Sequence, residues 1–289
     1  MTKTLLCIGY GFSARALTPL LHPLGWTITG TTRSAERAEA MRAEGVIPII
    51  WPGTDLDGAL KAASHLLISA APSPDAGDPL LASMDLSAYR FNWVGYLSTT
   101  GVYGNHDGAW VDEATPLTPS IRRGRLRVAA ESAWQATGLP LHIFRLAGIY
   151  GPGRGPFSKV RNGTARRIIK AGQMFSRIHA DDIAQVVAAS IAQPRPGAVY
   201  NLCDDDHKSR RYWLKIMPSC KKTIRSTAGY LILALNTMAT SHLAPSSEVT
   251  TGKKIYHDRC AVCHGNQGNG KTFAANALFP SPKNFTATT

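Results

Sequence analysis

From residue 4 to about residue 202 the chain alternates short apolar runs with helix-like segments, and this constrains its fold more than any other feature. The candidate strands are the short runs at 4–9, 27–31, 46–50, 65–70, 93–98, 141–145 and 198–202. Runs of that kind suit strands buried on both faces, whereas a strand with one wet face alternates polar and apolar residues. Helical stretches at 35–44, 125–137 and 183–192 fall between or beside them. The repeating unit is strand, helix, strand, which predicts an α/β fold with a doubly wound, Rossmann-like parallel sheet. Apolar residues make up 44% of the 289, enough to fill the core of such a sheet.

The first run ends in Gly9-Tyr10-Gly11-Phe12-Ser13-Ala14. In a turn between a strand and a helix, Gly9 permits the tight bend and Gly11 lets backbone approach a pyrophosphate. Ala14 stands where close helix–strand packing usually requires a third glycine. The helix that follows would offer its N-terminal amides to the phosphates. At the end of the second strand a site selective for NAD would carry an acid for the ribose hydroxyls, but this chain has Thr31-Thr32-Arg33-Ser34. Arg33 suits the 2′-phosphate of NADP, so NADP is expected ahead of NAD; the alternative is a surface arginine on a loop.

Several ordered segments then matter together. They are the glycine turn, Leu97-Ser98-Thr99-Thr100-Gly101-Val102-Tyr103-Gly104, Phe144-Arg145-Leu146-Ala147-Gly148-Ile149-Tyr150-Gly151-Pro152-Gly153, and Arg177-Ile178-His179-Ala180-Asp181-Asp182-Ile183-Ala184. With them, residues 1–205 resemble the extended and atypical short-chain dehydrogenase/reductases, in particular the NAD-dependent epimerase/dehydratase-like members. The resemblance implies a Ser or Thr after the strand and a Tyr-x-x-x-Lys pair on the next helix, the tyrosine moving a proton and the lysine lowering its pKa. Thr99 matches the hydroxyl position. Counting back from Glu131, the lysine position holds Arg127 and the tyrosine position Arg123. Arginine stays protonated and is a poor proton shuttle, so ordinary dehydrogenase catalysis is not expected. Tyr103 is a candidate substitute acid, with packing at the strand end as the alternative role.

The alternation stops after Leu202, and three segments are expected: a nucleotide-binding domain over 1–205, a linker over 206–247 and a second small domain over 248–289. Much of the formal charge of +13 lies between His207 and Arg225. No aromatic platform or nucleic-acid motif accompanies it, so nucleic acid is not an expected partner. The next stretch, Tyr230-Leu231-Ile232-Leu233-Ala234-Leu235 and its neighbours, has a basic flank before it and small residues after it. That is the layout of an export signal, and Met217 stands where one would start. Stretched over 227–243 the segment also reads as a short membrane anchor, with a buried helix as the alternative. The opening residues carry no export signal, which places the first domain in the cytoplasm. If 227–243 is a signal or anchor, the last domain lies on the outer, periplasmic side.

Of five cysteines, only Cys260 and Cys263 have an informative spacing, within Cys260-Ala-Val-Cys263-His264. Two thiols one helical turn apart can each form a thioether to a haem vinyl group. His264 is then placed to ligate the iron. The zinc alternative wants four ligands, commonly in two close pairs, and no second pair is near. With the lead-in Gly252-Lys253-Lys254-Ile255-Tyr256-His257, this segment resembles the N-terminal part of a class I c-type cytochrome, implying haem c, a small α-helical fold and a redox protein partner. No methionine follows Met238, so the distal ligand expected of that class is missing. The sequence thus describes a nucleotide-binding domain joined to an electron-transfer segment. The alternatives are a two-gene fusion of incomplete halves, and a non-catalytic NADP sensor or scaffold whose haem motif stays empty.

Overall fold

In a computed structural model the described residues are 3–165 and 176–204. They form a seven-stranded sheet in which every neighbouring pair is parallel. Its strands are β1 (Thr4–Ile8), β2 (Thr27–Thr32), β3 (Ile47–Ile50), β4 (His65–Ile68), β5 (Trp93–Thr99), β6 (Leu141–Leu146) and β9 (Val199–Leu202), in the order β3-β2-β1-β4-β5-β6-β9. Each begins and ends within a few residues of its predicted run. A separate parallel pair, β7 (Gly148–Tyr150) with β8 (Arg177–His179), was not anticipated. At three residues each, these strands are too short to show a periodicity.

Alternate residues of one strand feed two different cores. Leu5 and Cys7 of β1 join a cluster with helices α1 (Phe12–Leu21), α2 (Ala35–Ala43) and α6 (Ala180–Ala192), through residues such as Leu17, Met41 and Ile183. Leu6 and Ile8 join the opposite cluster with α3 (Asp57–Ala62) and α4 (Arg122–Ala136), through Leu60, Ala130 and Trp134. Both faces of the central strands are therefore covered, which is why β1 reads as an unbroken apolar run. The helix α5 (Pro156–Arg161) completes the set.

Trp93 opens β5 with no exposed surface, and its indole Nε1–H donates to Ser190 Oγ of α6 at 3.0 Å. Its ring lies across Gly95, where a Cβ would meet the indole at 2.1 Å, so only glycine fits two residues along.

Helix α4 starts at Arg122, three residues before its predicted start. Gly124 sits in its first turn because the helix is pressed against the loop after β5: a Cβ there would meet Gly101 O at 2.6 Å. This glycine is a point of close approach between helix and loop. The strand order runs one way from β1 to β2 and β3 and the other way from β1 to β4, so the crevice at the C-terminal ends of β1 and β4 is the topological switch point.

Candidate nucleotide site

At the switch point β1 ends and Gly9 turns the chain with φ +84°. A Cβ at Gly9 would lie 2.9 Å from Ala70 N, beyond the end of β4, so both its dihedral and its surroundings require glycine. The Gly9 amide donates to Thr31 Oγ1 at 2.7 Å and the Tyr10 amide to Thr31 O at 2.9 Å, which ties the turn to the end of β2. Gly11 is the N-cap of α1; no side chain caps this helix and its first turn holds no acid. A helix start leaves its first amides without intrahelical partners, and here they carry the positive end of the helix dipole with nothing competing for it. A Cβ at Gly11 would meet nothing closer than Gly9 O at 3.9 Å, so the approach to these amides is open. Ala14, 1% exposed, packs α1 against the sheet. The arrangement fits a dinucleotide pyrophosphate.

At the end of β2, Thr31 and Thr32 are buried and Arg33 is exposed. Ser34 caps α2 by accepting from the Arg37 amide at 3.3 Å. The strand end carries no carboxylate; the nearest acid in sequence, Glu36, lies in the first turn of α2.

The other end of the crevice lies beyond β5. Thr99 is its last residue, and its Oγ1 accepts from the Gly101 amide at 3.2 Å. Tyr103 is 2% exposed; its hydroxyl donates to Asn201 Oδ1 at 2.7 Å and accepts from Arg145 Nη1 at 2.8 Å. The Arg145 guanidinium also lies 5.1 Å from the centre of its ring. That phenol is engaged on both sides by protein groups. On α4, Arg123 is exposed. Arg127 donates through Nη1 to Tyr96 OH at 3.0 Å and to Leu97 O at 2.9 Å, so its head is bound to β5. Burial pushes the Tyr96 hydroxyl up to about 12, even with the Arg127 guanidinium pulling the other way.

Sequence reasoning missed the polar network beneath this end. Glu131 of α4 and Arg145 of β6 form a buried ion pair, Nη2 to Oε2 at 2.9 Å and Nε to Oε2 at 3.2 Å. Ser98 Oγ donates to the other carboxylate oxygen. Burial works against the charge on Arg145, but its bonds to Glu131 and Tyr103 outweigh that and raise its pKa. The available signal was Arg145 itself: a charge within a strand covered on both faces has to be paired.

A second polar group lies near the ends of β7 and β8. Burial pushes Tyr150 up to about 12, helped by the neighbouring Asp204 carboxylate, and it raises Asp182 above the usual carboxylate range for the same two reasons. His179 caps α6, its Nδ1 accepting from the Asp181 amide at 3.2 Å. Among the described residues no group of three or more His, Cys, Asp or Glu side chains is arranged to hold a metal.

Known proteins are similar to both parts of the chain. A conserved protein of unknown function from Silicibacter pomeroyi is 57% identical, with a TM-score of 0.69, over 75% of this chain and 79% of that one. The chain belongs to the same family. Its fold is also that of UDP-glucuronic acid 4-epimerase from Bacillus cereus, solved with NAD, at a TM-score of 0.63 and 20% identity, over 78% of this chain and 85% of that one. Protein YeeZ of Escherichia coli (strain K12) is 28% identical over 224 residues, 72% of this chain and 80% of the relative. The cytochrome c family model matches residues 249–289. The described residues therefore share the fold of an NAD-binding epimerase, and residues 249–289 match the cytochrome c family model.

Within that fold the residues separate into two groups. Gly9, Gly11 and Ala14 build one turn at the switch point, with Arg33 placed at the neighbouring strand end. Thr99, Arg123 and Arg127 belong to the β5–α4 end. Cys260, Cys263 and His264, the segment 227–243, and the expected linker and cytochrome domains over 206–247 and 248–289 lie outside the described residues. No helix among the described residues is long and apolar enough to cross a membrane.

Proposed function

We propose that this chain binds a nicotinamide dinucleotide, NADP in preference to NAD, at the β1–α1 turn, and that it does so without the tyrosine–lysine proton chemistry of its structural relatives. It carries a haem c electron-transfer segment at its C-terminal end. The uncapped, acid-free start of α1 beside Gly9 and Gly11 supports the binding half of this reading. The cofactors of the structural neighbours support it too: the Bacillus cereus epimerase was solved with NAD. The observation that carries the other half is Arg127. At the position of a lysine that would tune a neighbouring phenol, its guanidinium spans Tyr96 OH and Leu97 O.

When bound, the nicotinamide ring supplies a hydride donor or acceptor. The residues of this chain do the rest. The α1 amides hold phosphate charge, Gly9 and Thr31 fix the turn, and Arg33 accounts for a 2′-phosphate where an acid would repel it. At the β5–α4 end, Thr99 can offer a hydroxyl, while Arg123 offers a permanent cation in place of a phenol. That combination holds an anionic group well and moves a proton poorly. The cytochrome c match over 249–289 supports thioether attachment of haem at Cys260 and Cys263, with His264 on the iron. A redox protein is the partner this segment implies. The proposed arrangement keeps the nucleotide domain in the cytoplasm and, with 227–243 acting as signal or anchor, the haem segment on the outer side of the membrane.

The test is a pair of measurements on the full chain expressed with cytochrome maturation machinery. NADPH should bind more tightly than NADH, without rapid haem reduction by either. Mass spectrometry should show a covalent haem adduct, lost on substituting Cys260 and Cys263 by alanine. Failure to bind either nucleotide overturns the first half, and absence of the adduct overturns the second.

A further inference from the structure

The segment after β7 folds back on itself: the Gly151 amide donates to Arg154 O at 2.9 Å and the Arg154 amide to Gly151 O at 3.0 Å. This small antiparallel bridge brings the Arg154 side chain over Phe12, with the guanidinium carbon 5.1 Å from the ring centre. The loop is packed firmly there, because a Cβ on Gly151 would meet Phe12 Cζ at 3.0 Å. Phe12 is the first residue of α1, directly after Gly11, so its own amide is one of those left open at the helix start. Arg154 is exposed, and no salt bridge among the described residues includes it. A solvent-facing cation–π contact is weak, and it leaves all the guanidinium donors free to be recruited by a stronger acceptor.

We propose that Arg154 is a second-side ligand of the nucleotide site, donating to the pyrophosphate oxygens that the α1 amides hold. The inference rests on the nucleotide reading above and adds to it a residue far away in sequence. Phe12 keeps the guanidinium in place before the nucleotide arrives, which reduces the ordering that binding would otherwise require. The planar fork of an arginine suits two phosphate oxygens at once, and its full charge adds to the partial charge of the helix terminus.

The experiment titrates the full chain with NADPH and with ADP-ribose, which keeps the pyrophosphate and lacks the nicotinamide. Arg154→Ala should weaken both by about tenfold. Arg154→Lys should restore part of the loss, and Arg154→Glu should weaken both further than alanine does. The fall of ADP-ribose affinity with added salt should become shallower in Arg154→Ala, a readout that a purely structural role would not move, while the melting temperature stays at the wild-type value. Unchanged ADP-ribose affinity and salt dependence in Arg154→Ala would overturn this inference and leave the nucleotide site standing. A wild-type chain that binds neither probe would overturn the site itself and the inference with it.

Discussion

Replacing Glu131 by glutamine tests how the β5–α4 end of this fold is held together. The change keeps the shape of the side chain and removes its charge. Arg145 would then be a cation with a side chain 6% exposed, facing a neutral amide where it now makes contacts at 2.9 and 3.2 Å. Its remaining partners would be Tyr103 OH at 2.8 Å and Glu113 O at 3.4 Å, neither of which carries opposite charge. Breaking a buried pair by removing one partner costs about 3–5 kcal/mol. Glutamine can still accept one of the lost bonds, so the expected cost is at the lower end, about 3 kcal/mol. Against a total stability of about 5–15 kcal/mol this is large enough to measure in urea. Emission from Trp93 and Trp134, both fully buried on opposite sides of the sheet, reports the loss of each core. Substituting Arg145 by methionine should cost a similar amount, because it strands the Glu131 carboxylate. The double variant should cost less than the sum of the two, since neither charge is then left alone. A cost below about 1 kcal/mol for Glu131→Gln, or simple additivity in the double variant, would refute the reasoning.

Three further outcomes follow from separate parts of the site. Gly9→Ala should abolish NADPH binding and destabilise the fold by about 1–3 kcal/mol, because φ is +84° and the new Cβ would meet Ala70 N at 2.9 Å; retention of wild-type affinity would sink the assignment of this turn. Arg33→Asp should shift the NADPH-to-NADH preference toward NADH by at least about tenfold in relative Kd, and an unchanged ratio would leave Arg33 as a surface residue. Burial holds His65 down at about 4 from 6.5, so its neutral form is favoured in the fold. The stabilisation from that neutrality is complete above pH 6.5 and is lost as the pH falls toward 4, by at most about 3 kcal/mol; a His65→Phe variant should show a flatter decline in urea midpoints over that range.

The sheet was legible because its central strands are buried on both faces. Runs such as Leu5-Leu6-Cys7-Ile8 have no polar residue to hide their nature, and their burial on alternate sides adds no ambiguity. The two short strands at Gly148–Tyr150 and Arg177–His179 were not legible, since three residues flanked by loop carry no pattern. The glycine turn was readable from local rules because Gly9 needs a positive φ and Gly11 stands at the helix start beside it, although the approach of Ala70 to Gly9 is visible only in the fold. Glu131 was harder. It lies on a helix that mixes polar and apolar residues, so nothing local marks it as 2% exposed. Only its register with Arg145, 14 positions later on another element, explains its burial. Arg154 escaped notice for the same reason: its relation to Phe12 exists only once β7 has brought the chain back over α1.

Strand β9 ends at Leu202, pairing Leu202 with Leu146 of β6, and among the described strands β6 is its one neighbour. It therefore stands at an edge of the described sheet, where a strand presents a row of backbone N–H and C=O groups. The chain leaves the sheet after Leu202 on a side where the ladder could be extended by pairing with a further strand.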